Sequence, residues 1–406
     1  MPSRTPLFSR ARFKRALVTS TCVCLAAGAA IGFVGPAGAS TAAPAPAQVR
    51  WSPSWMATDT VYSSDTAATI ATRFNLIAAF SKDVGAYLPA MHAANPATRV
   101  VAYVNGTYTK STKYPESWYA HTATGARVQW IPYGTDQLEL SNPSVRDFLV
   151  SSCSTAIAQG FDGCLFDSMG LTPLHADDKS GLPIDPSTGA VYTGAAWLNL
   201  TAAVLRQARS ANPGKVIAAN GLGVGANYFD SSAPTSVLAG AANVAEAEQF
   251  VRSATSSVST HKTEAVWKQD VDMMVDAQSR GTSVAAVTKV WTTATAVQLT
   301  AWHAFAYATF LLGDDGSSRF TFLSNTTTSA TDDSTMEATP IGTPAGSYAK
   351  TAGVYQRAYS NGLVMVNPTK TALTVPITGR YTTLQGTVVT GTIKLAPYSG
   401  NVLTNS

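Results

Sequence analysis

The chain has 406 residues, of which 45% are hydrophobic and 13% charged, and its formal net charge is +4. This composition is typical of a globular protein with a large core and excludes a disordered chain. Five basic residues near the N-terminus, Arg4, Arg10, Arg12, Lys14 and Arg15, account for all of the positive charge. The rest of the chain carries about −1 and gives no indication of nucleic-acid binding.

The first 39 residues are organised like an export signal. The basic segment precedes an apolar run from Ala16 to Val34, and small residues follow at 37–39. We expect residues 1–39 to be removed as a signal peptide, so that the mature protein is secreted without stable membrane insertion. An uncleaved membrane anchor is the alternative. Residues 40–48 are rich in Ala, Pro and Thr, which is typical of a flexible linker.

Two of the four cysteines, Cys153 and Cys164, remain after the leader. In an oxidising compartment they could form a disulfide, and two buried thiols are the alternative. The cysteines and histidines show no metal-ligand spacing, and no glycine-rich dinucleotide or phosphate loop follows an apolar run. The sequence therefore predicts neither a metal nor a cofactor.

From residue 49 to residue 347, short apolar runs alternate with helical patterns. The predicted strands are 74–80, 99–105, 126–131, 161–167, 215–220, 243–250, 283–291 and 319–323. The predicted helices include 84–94, 143–159, 195–211, 263–280 and 296–311. Repeated strand and helix predicts the α/β class and a (β/α)8 TIM barrel over residues 49–347.

Residues 348–406 have a different pattern, with short β-rich segments separated by turns such as Asn361-Gly362 and Gly386. This pattern predicts a small C-terminal antiparallel β-sandwich. We expect it to shield one flank of the barrel. An independent sugar-binding module is the less favoured alternative, because the segment contains no Trp.

Asp167 stands at the C-terminal end of the fourth predicted strand, 161–167. In a parallel barrel that end faces the active-site mouth, and a carboxylate at the end of an apolar strand is costly unless it is used. We therefore interpret Asp167 as a catalytic carboxylate. An aspartate that caps the following loop is the alternative.

Glu246 and Glu248 lie on the same face of the sixth predicted strand, because side chains alternate along a strand. If that face points into the barrel, both acids approach the mouth, with Glu248 nearer the rim. Two carboxylates from different strands above one mouth are what glycosidic cleavage requires. For each glutamate, the alternative is a surface acid or a salt-bridge partner of Lys289 or Arg252.

Further candidates lie near the ends of other predicted strands. Asn105, Asn220 and Lys289 are placed to bind sugar hydroxyls or to tune a carboxylate, and each could instead be a turn residue or part of an ion pair. Trp130 and Trp291 are the aromatic residues that we expect to offer flat faces to sugar rings.

Several segments resemble TIM-barrel glycoside hydrolases, namely 114–120 with 125–128, 140–148 and 160–167. The chain is most similar to the hypothetical glycoside-hydrolase-like family fifteen of secreted bacterial proteins, and 355–368 resemble the β-domain that follows such barrels. The resemblance implies a retaining or inverting glycosidase with Asp167 as nucleophile or base and Glu248 as proton donor.

We therefore expect a secreted glycoside hydrolase that cleaves O-glycosidic bonds in an oligosaccharide, a polysaccharide or a cell-wall glycan. The pKa of the donor should be raised by its partly apolar strand and by Glu246, while the other carboxylate stays ionised. A non-catalytic glycan-binding or envelope protein on a barrel scaffold and a transglycosylase are the alternatives.

Overall fold

The computed structural model describes residues 51–52, 63–324 and 336–406 of the chain. The predicted signal peptide, 1–39, and the predicted linker, 40–48, lie outside this range. The described residues all belong to one compact unit, Pro46–Ser406.

Strands and helices alternate through the N-terminal part of this unit. In chain order the strands are β1 Trp51–Ser52, β2 Leu76–Ala79, β3 Arg99–Asn105, β4 Tyr108–Thr109, β5 Gln129–Trp130, β6 Thr135–Gln137, β7 Gly163–Asp167, β8 Val216–Asn220, β9 Val244–Ala247, β10 Ser283–Val290 and β11 Arg319–Ser324. The helices are α1 Ser64–Arg73, α2 Ser81–Val84, α3 Leu88–Ala94, α4 Pro143–Ala158, α5 Gly194–Ala211, α6 Gly225–Tyr228, α7 Glu264–Ser279 and α8 Ala296–Gly313. In the part of the chain that the structure describes, no helix has both the length and the apolar character needed to cross a bilayer.

Eight of these strands form one parallel sheet in the order β1-β2-β3-β7-β8-β9-β10-β11. The two edge strands, β1 and β11, lie against each other, so the sheet curves round into a nearly closed barrel. A small apolar cluster that includes Leu165, Ala218 and Val287 fills the inside, and the larger core lies between the sheet and the helices. The predicted barrel is confirmed.

The segment that leads into β7 shows how local sequence sets the frame of the barrel. Asn142 caps α4 by accepting a hydrogen bond from the Ser144 backbone N–H, and Pro143 occupies the first turn, where its missing N–H costs nothing. Gly160, at φ +107°, then turns the chain away from the helix. A disulfide between Cys153 and Cys164 joins α4 to β7. Of the two alternatives that the sequence left open, a disulfide or two buried thiols, the structure contains the disulfide.

The predicted third strand, 126–131, is wrong. Only Gln129–Trp130 is extended there, and this β5 pairs antiparallel with β6 in a separate sheet of order β4-β6-β5. Arg127 explains why the segment stays outside the barrel, because its guanidinium forms ion pairs with Glu116 and Asp136 and would be unpaired between apolar layers. The eighth barrel position is taken by β1.

The C-terminal part forms the predicted antiparallel domain. Its strands are β12 Ala349–Thr351, β13 Val354–Tyr359, β14 Gly362–Asn367, β15 Leu373–Thr383, β16 Val388–Leu395 and β17 Ser399–Asn405. They are hydrogen-bonded in the order β12-β13-β14-β17-β15-β16. An irregularity between Ile377 and Arg380 bends β15, so that residues from both halves of the sheet, such as Val375 and Leu403, share one apolar cluster.

Strand β17 packs directly on α8. A Cβ added to Gly400 would lie 2.7 Å from the Ala304 carbonyl oxygen and 2.6 Å from the Ala308 Cβ. Next to this contact, the His261 ring stacks between Trp302 of α8 and Tyr398 of the β16–β17 turn, with ring centroids 4.4 and 4.0 Å away. The barrel and the C-terminal sheet therefore share a close-packed junction.

We predict that Gly400→Ala destabilises the protein by about 1–3 kcal/mol, because the added methyl group must push β17 away from α8. The measurement is denaturant unfolding followed by circular dichroism. Asn401→Ala, at the next position of the same strand, is the control and should change stability much less. A Gly400→Ala variant as stable as the wild type would show that the junction can open without cost.

Candidate active site

Asp167 is the last residue of β7, and its side chain lies at the mouth of the barrel. Close strand contact holds β7 in place, since a Cβ on Gly163 would lie only 1.8 Å from the Val216 carbonyl oxygen. The next residue, Ser168, has φ 61°, and its backbone N–H donates to Asp167 Oδ1 at 2.8 Å. A left-handed residue other than glycine is unusual, and here it turns its N–H onto the carboxylate.

Two side chains from neighbouring strands complete the hydrogen bonds of this carboxylate. Tyr103 of β3 donates its hydroxyl to Asp167 Oδ2 at 2.7 Å. Asn220, the last residue of β8, donates its amide to Asp167 Oδ1 at 2.9 Å. Three donors therefore fix the orientation of the Asp167 carboxylate.

Glu248 lies in the turn that follows β9, since the strand ends at Ala247 rather than at residue 250 as predicted. Its Oε1 accepts from Lys289 Nζ of β10 at 2.5 Å, and its Oε2 accepts from Asn220 Nδ2 at 2.8 Å. The Lys289 side chain is 4% exposed and also lies 4.5 Å from the Trp291 ring. Glu248 is thus held by one cation and one amide.

Asp167 and Glu248 are brought together by a shared partner. Both accept from the same nitrogen, Asn220 Nδ2, at 2.9 and 2.8 Å, so the two accepting oxygens lie less than about 6 Å apart. Retaining glycosidases hold their two carboxyl groups about 5–5.5 Å apart, and inverting enzymes about 6.5–9.5 Å. The upper limit on the distance between these two oxygens lies below the inverting range and allows the retaining one.

Glu246 is a third acid, deeper in the barrel. It pairs in register with Asn220 on one side and Ala285 on the other, and it is 0% exposed. Neither of its carboxyl oxygens has a hydrogen-bond partner among the described residues. Burial, followed by the charges of Glu248 and Asp167, raises the pKa of Glu246 well above its ordinary value, and Lys289 only partly opposes this.

Burial raises the pKa of both acids that lie within barrel strands. Burial raises the pKa of Asp167 to about 6, against the lowering effect of the Tyr103 hydroxyl and with a further raising effect of Glu248. Glu248, the expected donor, contacts Lys289. Asp167 and Glu246 are desolvated because both lie in strands of the barrel wall, whereas Glu248 lies beyond the end of its strand, where it reaches the Lys289 ammonium group.

A cavity of about 770 Å³ opens above the pair. Five aromatic side chains line it: Phe80, Tyr103, Tyr108, Trp130 and Tyr133. A smaller cavity of about 130 Å³ shares Asn220 and Glu248 with it and extends past His175. Glu248 therefore lies where the two cavities meet, and Asp167 lines the larger one.

The other predicted binding residues have different surroundings. Asn105 and Trp130 line the large cavity, although Asn105 Oδ1 also accepts from the Thr107 and Tyr108 backbone N–H groups. Trp291 is 49% exposed and lies beside Lys289, outside the residues that line this cavity.

The sequence reasoning missed Tyr103 and Tyr108. Tyr103 lies two positions before Asn105 on β3. Because alternate residues of a strand share a face, the candidate Asn105 predicts that Tyr103 lies on the same side of the barrel wall. Tyr108 reaches the site only through the pairing of β4 with β6, and the sequence carries no comparable signal for that pairing.

We predict that the free energy of unfolding of Glu246→Gln increases relative to that of the wild type as pH rises. A carboxyl whose pKa is raised in the folded state binds protons more tightly there than in the unfolded state, so wild-type stability falls above the unfolded pKa of about 4.3 by up to about 1.4 kcal/mol per pH unit. Glutamine removes this loss. The measurement is the free energy of unfolding of both proteins from pH 5 to pH 8.

Glu116→Gln is the control of opposite sign, because Arg127 and His121 lower the pKa of that exposed carboxyl to about 2. Its removal should cost stability at neutral pH and not at pH 2. A Glu246→Gln difference that stays constant with pH would show that Glu246 is ionised in the folded protein.

The comparisons with known proteins give the family. The model of hypothetical glycosyl hydrolase family 15 matches residues 87–363, and no curated protein matches the chain.

Solved structures with the same fold include Eubacterium rectale Amy13B, at 12% identity over 88% of this chain and 94% of that one, with a TM-score of 0.52. A MutB variant in complex with the substrate sucrose is 11% identical over 89% of this chain and 100% of that one, with a TM-score of 0.51. The glycoside hydrolase domain of PelA from Pseudomonas aeruginosa is 12% identical over 69% and 95%, with a TM-score of 0.44. At such identities the likeness to Amy13B and MutB concerns the fold. Because the family model spans more than half of the chain, this protein belongs to hypothetical glycosyl hydrolase family 15, and the predicted class of glycan-cleaving enzyme is confirmed.

Proposed function

We propose that the protein is an exported retaining glycoside hydrolase that cleaves O-glycosidic bonds in a polysaccharide or cell-wall glycan with Asp167 and Glu248. The observation that carries this proposal is the single amide nitrogen of Asn220 that bonds both carboxylates. Two acids this close leave room for a sugar carbon between them and too little room for an additional water, which an inverting mechanism needs.

Asp167 is the nucleophile in this proposal. The three donors fix the carboxylate so that the anomeric carbon can approach it, and they favour its ionised form. With a pKa of about 6, Asp167 is ionised at neutral pH and keeps more basicity than an ordinary aspartate. Its attack forms a covalent glycosyl-enzyme and expels the leaving group.

Glu248 is the acid and then the base. It lies at the rim, partly exposed, where it can exchange protons with solvent between the two steps. When Asp167 becomes an ester, its negative charge is lost, so the repulsion that opposed an ionised Glu248 disappears. Glu248 then accepts a proton from the water that attacks the intermediate. Lys289, which contacts Glu248 Oε1, holds this carboxyl group in position.

Export is the second part of the proposal. It is supported by the basic and apolar segments that precede the small residues 37–39. The Cys153–Cys164 disulfide agrees with an oxidising compartment.

We predict that Asp167→Ala and Glu248→Ala lower turnover in different ways on the first active member of a glycan panel. Asp167→Ala should lose nearly all activity, and azide should then give a glycosyl azide of inverted configuration. Glu248→Ala should lose about 10²- to 10⁴-fold, less with a leaving group that needs no protonation, and azide should give the retained configuration.

Asp65→Ala, an exposed acid on α1, is the matched control and should have wild-type activity. Full activity in Asp167→Ala would remove this residue from the mechanism. Sugar transfer to an added acceptor in preference to water would identify a transglycosylase that uses the same residues.

We predict that kcat/KM of the wild type falls below about pH 6, because Asp167 must be ionised to attack. Tyr103→Phe should move this acidic limb to higher pH, since the Tyr103 hydroxyl lowers the Asp167 pKa. Tyr108→Phe, which removes a hydroxyl from the same cavity without touching Asp167, should leave the limb in place. An acidic limb that does not move in Tyr103→Phe would assign it to another group.

A further inference from the structure

The small sheet of β4, β5 and β6 forms a wall of the large cavity, and one of its faces points inwards. Register pairs Trp130 with Thr135 and Tyr108 with Gln137, and paired residues of antiparallel strands share a face. Thr135 and Gln137 are two positions apart on β6, so all four side chains lie on one face. The Tyr108 and Trp130 rings are 5.0 Å apart, as this geometry requires.

The polar side chains on the opposite face are paired with one another. Asp136 accepts from Gln129 Nε2 at 2.8 Å and from Arg127 Nη1 at 3.1 Å. Thr109 Oγ1 accepts from the Ser111 backbone N–H at 3.0 Å. The polar groups of this face are therefore satisfied within the protein, including Thr109, which also borders the cavity.

The cavity face is different. Among the described residues, no partner exists for the Tyr108 hydroxyl, the Thr135 hydroxyl or either polar atom of the Gln137 amide. Tyr108 is only 2% exposed and Thr135 only 7%, and both line the cavity. Buried polar groups are almost always hydrogen-bonded, so the Tyr108 and Thr135 hydroxyls, which line the cavity without a partner among the described residues, indicate a ligand that supplies the bonds.

The charges around the cavity indicate the kind of ligand. Lys82 and Lys110 line it, and no carboxylate in residues 63–324 or 336–406 lies within ion-pair distance of either ammonium group. Among the described residues, the only carboxylates that line the cavity are those of Asp167 and Glu248, and both accept a hydrogen bond from Asn220. Away from the catalytic pair, the wall therefore offers hydroxyl and amide donors together with two cations.

We propose that the cavity binds a sugar ring that carries an anionic group, namely the carboxylate of a uronic acid, so that the substrate is an acidic glycan. Lys82 and Lys110 bind the carboxylate, Tyr108 and Thr135 donate to ring hydroxyls, and Trp130 covers the apolar face of the ring. This inference rests on the proposed function, since it assumes that the glycan in this cavity is the one that Asp167 and Glu248 cleave.

The first experiment compares one polymer in two chemical forms. A polyuronide and the same polymer with its carboxyl groups reduced to alcohols are incubated with the enzyme, beside a sulfated glycan and a polymer of amino sugars. We expect the polyuronide to be cleaved at least about tenfold faster than its reduced form, and the preference to shrink as salt is added. If the sulfated glycan is cleaved faster than the polyuronide, the two lysines bind a sulfate and the proposed uronic acid is wrong. If the reduced polymer or the amino-sugar polymer is cleaved as fast as the polyuronide or faster, the whole inference is overturned.

The second experiment tests the residues. The double variant Lys82→Gln/Lys110→Gln should raise KM for the polyuronide roughly tenfold or more, with a small change in kcat and a weaker dependence on salt. Lys113→Gln is the matched control, because Lys113 is an exposed lysine that, like Lys110, follows β4 but does not line the cavity. Tyr108→Phe should raise KM while its aromatic ring keeps the wall intact. A double variant that behaves like Lys113→Gln overturns the inference.

The two proposals fail in distinguishable ways. If the wild type cleaves a neutral or amino-sugar glycan and Asp167→Asn does not, the hydrolase proposal stands and the acidic substrate is wrong. Titration calorimetry of Asp167→Asn with polyuronide fragments measures binding without turnover. Binding that depends on Lys82 and Lys110 in a protein that hydrolyses no glycan would keep the acidic ligand and reject the hydrolase.

Discussion

The site depends on one amide group that bonds two carboxylates. Asn220 can bridge Asp167 and Glu248 only because β8 lies between β7 and β9 in the barrel, with all three strands parallel and in fixed register. Two negative charges this close repel each other, and burial adds to the cost. The Asn220 amide offsets part of that cost for both acids at once, and Lys289 offsets more of it from the next strand.

The rest of the structure restrains the elements that carry these residues. The disulfide and the close contact at Gly163 hold β7, which carries Asp167. The chain after Glu248 is held from outside the barrel, where Arg252 lies over the Trp302 ring and His261 stacks between Trp302 and Tyr398. The C-terminal sheet therefore helps to fix a segment that follows directly from the mouth of the barrel.

The sequence predicted the barrel because strand and helix patterns are local, and it predicted Asp167, Glu248, Asn220 and Lys289 as candidates because parallel strand ends converge at one mouth. It could not predict the small antiparallel sheet, whose pairings join residues far apart within one loop. The same limit hid the cavity face of that sheet. The raised pKa values of Asp167 and Glu246 come first from burial in the folded barrel, and the sequence does not show how deeply each acid is buried.

Stability alone gives no reason to keep this arrangement. Glu246 is buried without a hydrogen-bond partner among the described residues, Asp167 is desolvated, and the Tyr108 and Thr135 hydroxyls line the cavity without a partner in the same part of the chain. Each of these groups would be less costly as an apolar side chain of similar size. Their concentration around one cavity, beside well-paired polar groups on the opposite face of the same sheet, is what a substrate site requires. A ligand that completes these hydrogen bonds gains binding free energy from groups that destabilise the free protein. It gains that energy directly above the two acids that can cleave it.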